Sequence, residues 1–167
     1  GKEISGWLRF DGVKGSKGDI LKVEYVSESP VGTQSYIFGE GDCNDYAPKF
    51  TWYVFRKAII TGVELKRENV IAEVVNTDVR VNSEFTTSNP LLNTINTIWR
   101  RSLEDNLHGG VMSDCPHREK SPYTGDGQVC CETVMANYDC YTFYHKWLRD
   151  MRDAQNVNTG YVPNSAP

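Results

Sequence analysis

Two periodicities divide the chain near residue 86. The first half alternates apolar and polar positions every second residue. In Ile20–Val26, Leu21, Val23 and Tyr25 alternate with Lys22 and Glu24, the pattern of a half-buried strand. In Phe50–Arg56, Phe50, Trp52 and Val54 fall on one face, and Val70–Val75 and Val79–Val81 continue the β-branched habit. Gly, Asn and Asp clusters separate these runs, and Gly39–Lys49 reads as a long loop. Short strands spaced by turn signals predict an antiparallel β-sandwich or part of one.

The second half has helical spacing. Ser88-Asn89-Pro90 is a helix start, a polar cap followed by Pro at the first helical position. Leu91, Leu92, Ile95, Ile98, Trp99, Leu103 and Leu107 follow as a stripe, and His108-Gly109-Gly110 predicts the stop. A shorter helix is predicted from about Gln128 to Ala136. Asp139 is the predicted cap of a third, with Tyr144, Trp147, Leu148 and Met151 on one face. The tail NVNTGYVPNSAP reads as a loop without closure. Three striped helices make only part of a layer. The expectation is an α+β chain: residues 1–85 as the C-terminal part of a β-sandwich domain, and residues 86–167 as the first helices of a larger helical domain. Such stripes, left bare, predict association.

Composition narrows the function classes. The net charge is −4, with no basic stripe to neutralise phosphates, so nucleic acid is not an expected partner. No apolar run is long enough to span a bilayer. Four Trp and nine Tyr in a mildly acidic chain suit stacking on neutral ligands, sugars included. The five Cys are odd in number, so they cannot all pair within one chain. Gly1 is not read as a native start. The compartment is not encoded, with a periplasmic or secreted setting preferred to a cytoplasmic one.

Between the first two helices lies SDCPHREKSPYTGDGQ, residues 113–128. Pro116 and Pro122 prevent a continuous helix through it. It concentrates Asp114, Arg118, Glu119, Lys120 and Asp126, with Tyr123 as a stacking wall. Asp and Arg fix hydroxyl groups through charge-assisted hydrogen bonds. A Glu near other carboxylates or against an aromatic wall gains proton affinity, which a general acid requires. The plain alternatives are a solvated connection, with Asp126 as a helix cap. Cys115, His117, Cys130 and Cys131 have poor zinc spacing, and Cys115 with His117 lacks an orienting third group, so no metal, cofactor or thiol nucleophile is expected. Trp7, Trp52, Tyr53 and Phe55 could form a sugar-binding face, with core packing the commoner use of strand aromatics. Trp99 and Trp147 read as core.

Asp114-Cys115-Pro116-His117-Arg118-Glu119-Lys120 followed by Tyr123-Thr124-Gly125-Asp126 resembles the signature of the bacterial α-L-rhamnosidases. The resemblance implies a β-sandwich followed by the first helices of an (α/α)6 barrel, and hydrolysis of terminal α-L-rhamnosides with inversion. By resemblance Glu119 matches the general acid, and Asp114, Arg118 and Asp126 the residues that hold the sugar hydroxyls. Tyr123 stands where an aromatic, often Trp, forms part of the pocket. The family's extra Asp between Arg and Glu is missing here, and Ser121-Pro122 replaces an apolar-Gly pair. An ungapped alignment would put Lys120 at the acid position; the gapped one also brings Thr124-Gly125-Asp126 into register. Inversion needs a second carboxylate about 6.5–9.5 Å from the first. The resemblance places that base downstream of this chain, so residues 1–167 alone are expected to be inactive. The alternative reading is a non-catalytic carbohydrate-binding or interaction module. The expected partner is a rhamnose-containing oligosaccharide or glycoside.

Overall fold

The computed structural model describes residues 2–166. The chain divides between Val75 and Asn76 into two compact units. The first unit contains β1 (Ile4–Phe10), β2 (Ile20–Val26), β3 (Pro30–Ile37), β4 (Tyr53–Phe55), β5 (Lys57–Thr61) and β6 (Val70–Val74). Two antiparallel three-stranded sheets form, in the orders β4-β1-β6 and β3-β2-β5. Their register is fixed by pairs such as Leu8 with Ala72 and Val23 with Gln34 and Ile60.

Strand alternation supplies the core. Leu8 and Phe10 of β1, Leu21, Val23 and Tyr25 of β2, and Phe38, Cys43 and Phe55 are buried together. The three predicted inward positions of β2 are thus the observed ones. The Tyr25 hydroxyl accepts the Leu8 N–H at 2.8 Å and donates to Gln34, tying the two sheets through a buried polar link. Burial pushes the Tyr25 hydroxyl well above its ordinary titration range. Gly39–Lys49 is a loop as expected, latched by Phe10 with Tyr46 and Val13 with Cys43.

The predicted strand at Phe50–Arg56 shrinks to three residues. Phe50 is fully exposed with φ 59°, a left-handed conformation that ends any extended pairing. The strand aromatics divide between uses. Phe55 is core, and Tyr53 stacks on Tyr25 with centroids 4.1 Å apart. Trp7 lies half-buried outside the core and donates to Glu73 at 2.8 Å.

The second unit contains β7 (Arg80–Val81), α1 (Pro90–Asn106), β8 (Leu107–His108), β9 (Val111–Met112), α2 (Thr124–Asn137), β10 (Tyr138–Asp139) and α3 (Tyr141–Ala154). Asn89 caps α1 as predicted, its side chain accepting the Leu91 N–H at 3.0 Å. The glycines do not stop the helix directly. The helix ends at Asn106, and Gly109 and Gly110, with φ 62° and 75°, form the two-residue turn of the β8–β9 hairpin. A turn with both central φ positive selects glycine. Asp139 does not cap α3. It lies in β10, which pairs with β7, and it binds Arg80 at 2.9 Å, while Cys140 takes the cap position.

Leu103, Leu107, Met112, Val134, Tyr138, Cys140, Phe143 and Trp147 form the second core. The α1 stripe splits: Leu103 and Leu107 are buried, but Leu91, Leu92, Ile95 and Ile98 are exposed. No helix among the described residues is long and apolar enough to cross a membrane.

Candidate functional site

Residues 114–121 form a loop closed at its neck. The Asp114 N–H donates to the Ser121 carbonyl at 3.0 Å, and the Ser121 N–H returns to Asp114 Oδ1 at 3.2 Å. One step inside, the Lys120 N–H donates to the Cys115 carbonyl at 3.2 Å. Lys120 completes the reversal with φ 56°, and burial lowers its ammonium pKa. Pro116 to Glu119 make the turn at the tip.

Asp114 is the most constrained of the candidate residues. Partial burial alone would raise its pKa. Hydrogen bonds from the Cys115 backbone and thiol, from Glu119 and from the Ser121 N–H outweigh that and hold it below its ordinary value. Glu119 is exposed, paired with neighbouring Arg118 at 3.2 Å and hydrogen-bonded to Asp114. His117 is exposed on the same turn.

The α2 helix begins four residues earlier than expected. Tyr123 holds the cap position without a side-chain bond, so Asp126 is not a cap but an acidic residue of the first turn. There the helix macrodipole favours a carboxylate. Asp114 and Asp126 line one concavity of about 160 Å³ with Trp99, Ser102, Leu103, Asn106, Met112, Ser113 and Cys130. The structure therefore brings Asp114 together with Asp126 across this concavity, while Glu119 is hydrogen-bonded to Asp114 without being part of the lining. Arg118 and Tyr123 do not line it. Among the described residues no group of three or more His, Cys, Asp or Glu side chains converges as a metal site.

The tail is closed, contrary to the expectation from its composition. The Thr124 N–H donates to the Asn164 carbonyl at 2.9 Å, Tyr123 bridges Ser165, and the Ala166 N–H reaches the Pro122 carbonyl at 3.4 Å. Trp147, fully buried, donates its indole N–H to the Ala166 carbonyl at 2.9 Å. Sequence reasoning missed this clasp, and also Ser121, Trp99 and the Cys115 thiol as parts of the site. Backbone donors leave no trace in residue type. Trp99 alone had a signal, as an aromatic one helix before the polar loop.

Residues 80–167, just over half the chain, match the family described as the bacterial alpha-L-rhamnosidase 6 hairpin glycosidase domain. An alpha-L-rhamnosidase of Formosa agariphila is 32% identical over 183 residues, a match covering 96% of this chain and 19% of that protein. One from Streptomyces avermitilis is 33% identical over 158 residues, covering 93% and 15%. Among solved structures, an alpha-L-rhamnosidase from Dictyoglumus thermophilum superposes with a TM-score of 0.85 and 28% identity, over 99% of this chain and 20% of that one. The Streptomyces avermitilis alpha-L-rhamnosidase complexed with L-rhamnose gives 0.81 and 28%, over 99% and 17%. The chain spans about a fifth of the length of these relatives. It corresponds to sandwich followed by the start of the barrel, as the resemblance implied. On the match of its helical half and the likeness of its whole length, the chain belongs to the bacterial alpha-L-rhamnosidase six-hairpin glycosidase family.

Proposed function

We propose that the full-length protein hydrolyses terminal α-L-rhamnosides with inversion, that Glu119 is its general acid, and that the general base lies outside residues 1–167. The observation that carries this reading is the carboxyl pair of Asp114 and Glu119 beside the concavity that Asp114 shares with Asp126.

Donors on its own loop hold Asp114 below its ordinary value, and the Glu119 side chain lies within hydrogen-bonding reach of it. The role asked of Glu119, beside the residue that lines the concavity with Asp126, is to give a proton to the departing glycosidic oxygen. The Arg118–Glu119 ion pair is exposed on both sides, a class of contact worth about 0–1 kcal/mol. Sugar hydroxyls can therefore displace it, leaving Arg118 to grip the ring and Glu119 to face the bridging oxygen. Asp114 and Asp126 accept from further hydroxyls, and Tyr123 offers its ring as a wall. The substrate class is a rhamnose-terminated oligosaccharide or glycoside. No observation favours the binding-module alternative.

The test is Glu119→Gln in the full-length protein. General acid catalysis contributes about 10²–10⁴-fold. Turnover of rhamnosides with alkyl or sugar leaving groups should fall by that order. Turnover of 4-nitrophenyl α-L-rhamnoside, whose leaving group departs without a proton, should fall far less, and L-rhamnose binding should persist. Near-normal turnover of the poor leaving groups would exclude Glu119 as the acid. Residues 1–167 alone should not hydrolyse 4-nitrophenyl α-L-rhamnoside.

A further inference from the structure

The Asp114 carboxylate has a donor on each oxygen from its own loop. Oδ1 accepts the Ser121 N–H at 3.2 Å, and Oδ2 accepts the Cys115 thiol, with Sγ at 3.3 Å. The first is a backbone contact that no substitution removes cleanly. The second is a side chain, half-buried, whose own carbonyl is fixed by the Lys120 N–H across the loop. Cys115 is therefore held at the neck by its backbone while its thiol points at the carboxylate. None of the other four cysteines donates to a carboxylate of the site. Cys43 and Cys140 are buried in the two cores, Cys130 lines the concavity, and Cys131 lines a different one.

We propose that Cys115 is a positioning residue for sugar binding: its thiol fixes the orientation of the Asp114 carboxylate at the concavity, so that capping the thiol weakens the grip on the sugar. This rests on the rhamnoside reading of the site. The thiol is a weak donor, but the acceptor is ionised, and hydrogen bonds to charged acceptors are the stronger kind. With Oδ1 and Oδ2 each held, the remaining lone pairs of Asp114 have fixed directions for sugar hydroxyls. Removing the thiol proton takes away the side-chain donor on Oδ2, loosens the carboxylate's orientation and withdraws one stabiliser of its charge. The titratable groups around Asp114 are Cys115 and Glu119 in the loop and Asp126 and Cys130 on α2. The thiol is one of the donors that hold Asp114 below its ordinary value, so its loss moves that titration upward.

The experiment is calorimetric titration of the full-length protein with L-rhamnose, from about pH 4 to about pH 7, which brackets carboxylate titration. In the wild-type protein affinity falls as Asp114 takes up a proton. In Cys115→Ala the midpoint of that fall should move to higher pH, and neutral-pH affinity should drop several-fold. Cys115→Ser keeps a donor and should rescue both. Methyl methanethiosulfonate, which replaces the S–H hydrogen with a thiomethyl group, should reproduce the alanine phenotype in wild type and leave Cys115→Ser unchanged. That arm decides the matter if the alanine variant does not fold. An unaltered midpoint and affinity in Cys115→Ala, or equal weakening of Cys115→Ser by the reagent, would overturn the inference. A wild-type protein that binds no L-rhamnose would instead overturn the rhamnoside reading on which it stands.

Discussion

Gly127→Ala is the substitution by which the helical core and the site can be tested together. Gly127 is buried on the first turns of α2, where glycine normally costs about 0.5–1 kcal/mol relative to alanine. On propensity alone the change should stabilise. An added Cβ, however, would lie inside the van der Waals envelope of Cη2 and Cζ3 of Trp147 and 3.4 Å from its Cζ2. Carbon atoms pack at about 3.5–4.0 Å, so the ring or the helix must move by on the order of 1 Å. Trp147 cannot yield freely, because it is 1% exposed and its indole N–H is bonded to the Ala166 carbonyl. Overpacking of this kind costs about 1–3 kcal/mol, and straining the indole bond adds up to about 1 kcal/mol. Mid-range values of the three terms leave a net loss of about 2 kcal/mol, a factor of about 30 in the folded ratio.

The assay is urea unfolding followed by circular dichroism. The midpoint should fall with an unchanged slope. Trp147→Phe removes the outer ring atoms that the new methyl meets, so the double variant should be less destabilised than the sum of the singles. A Gly127→Ala protein as stable as wild type, or strict additivity in the cycle, would refute the packing argument.

Three further outcomes follow from other parts of the structure. Asn89→Ala removes the cap of α1 and should cost about 1 kcal/mol, read as a lower urea midpoint. Tyr25→Phe keeps the ring stack on Tyr53 but leaves the Leu8 N–H and the Gln34 amide oxygen without the hydroxyl between the sheets, so a loss of about 2–4 kcal/mol is expected. Burial raises the Tyr25, Tyr138 and Tyr144 hydroxyls, with a Glu104 hydrogen bond adding to the rise at Tyr138. A raised folded value means that their contribution is fully present below the unfolded value of about 10 and is lost as pH climbs through the folded ones, so thermal melts should fall steeply only above about pH 10.

The parts of this fold legible in the sequence are those where one local rule acts alone. Leu21, Val23 and Tyr25 follow strand alternation inside a paired strand, and Asn89-Pro90 follows end chemistry at a helix start. The misreadings occur where two rules compete. Thr124-Gly125-Asp126-Gly127 has the composition of a turn, which predicts a helix start only at about Gln128. Yet glycine at 127 admits the Trp147 ring, and the Asn164 carbonyl takes the Thr124 N–H. Both partners are remote in sequence, and neither is visible to a local propensity. His108-Gly109-Gly110 shows the same limit, since a glycine pair serves a helix end and a tight hairpin equally well. At the site, residue types announced the carboxylates and the arginine, but not the backbone amides and the thiol that orient them.

The geometry of the loop divides labour between its neck and its tip. The neck is held from three directions: Asp114 to Ser121 within the loop, Pro122 and Thr124 to the tail, and the tail to buried Trp147. Asp114 sits on that fixed part, and Asp126 on the helix the same ties start. Glu119 and Arg118 sit on the exposed turn, where their mutual contact is of the weak surface kind. A gripping carboxylate gains from preorganisation, because every hydroxyl bond it makes is formed without further ordering cost. An acid gains from a different arrangement, freedom on an exposed turn to reach the leaving oxygen. The Asp114–Glu119 hydrogen bond joins the two parts, so on the proposed reading the residue that steadies the sugar also holds the proton donor in place.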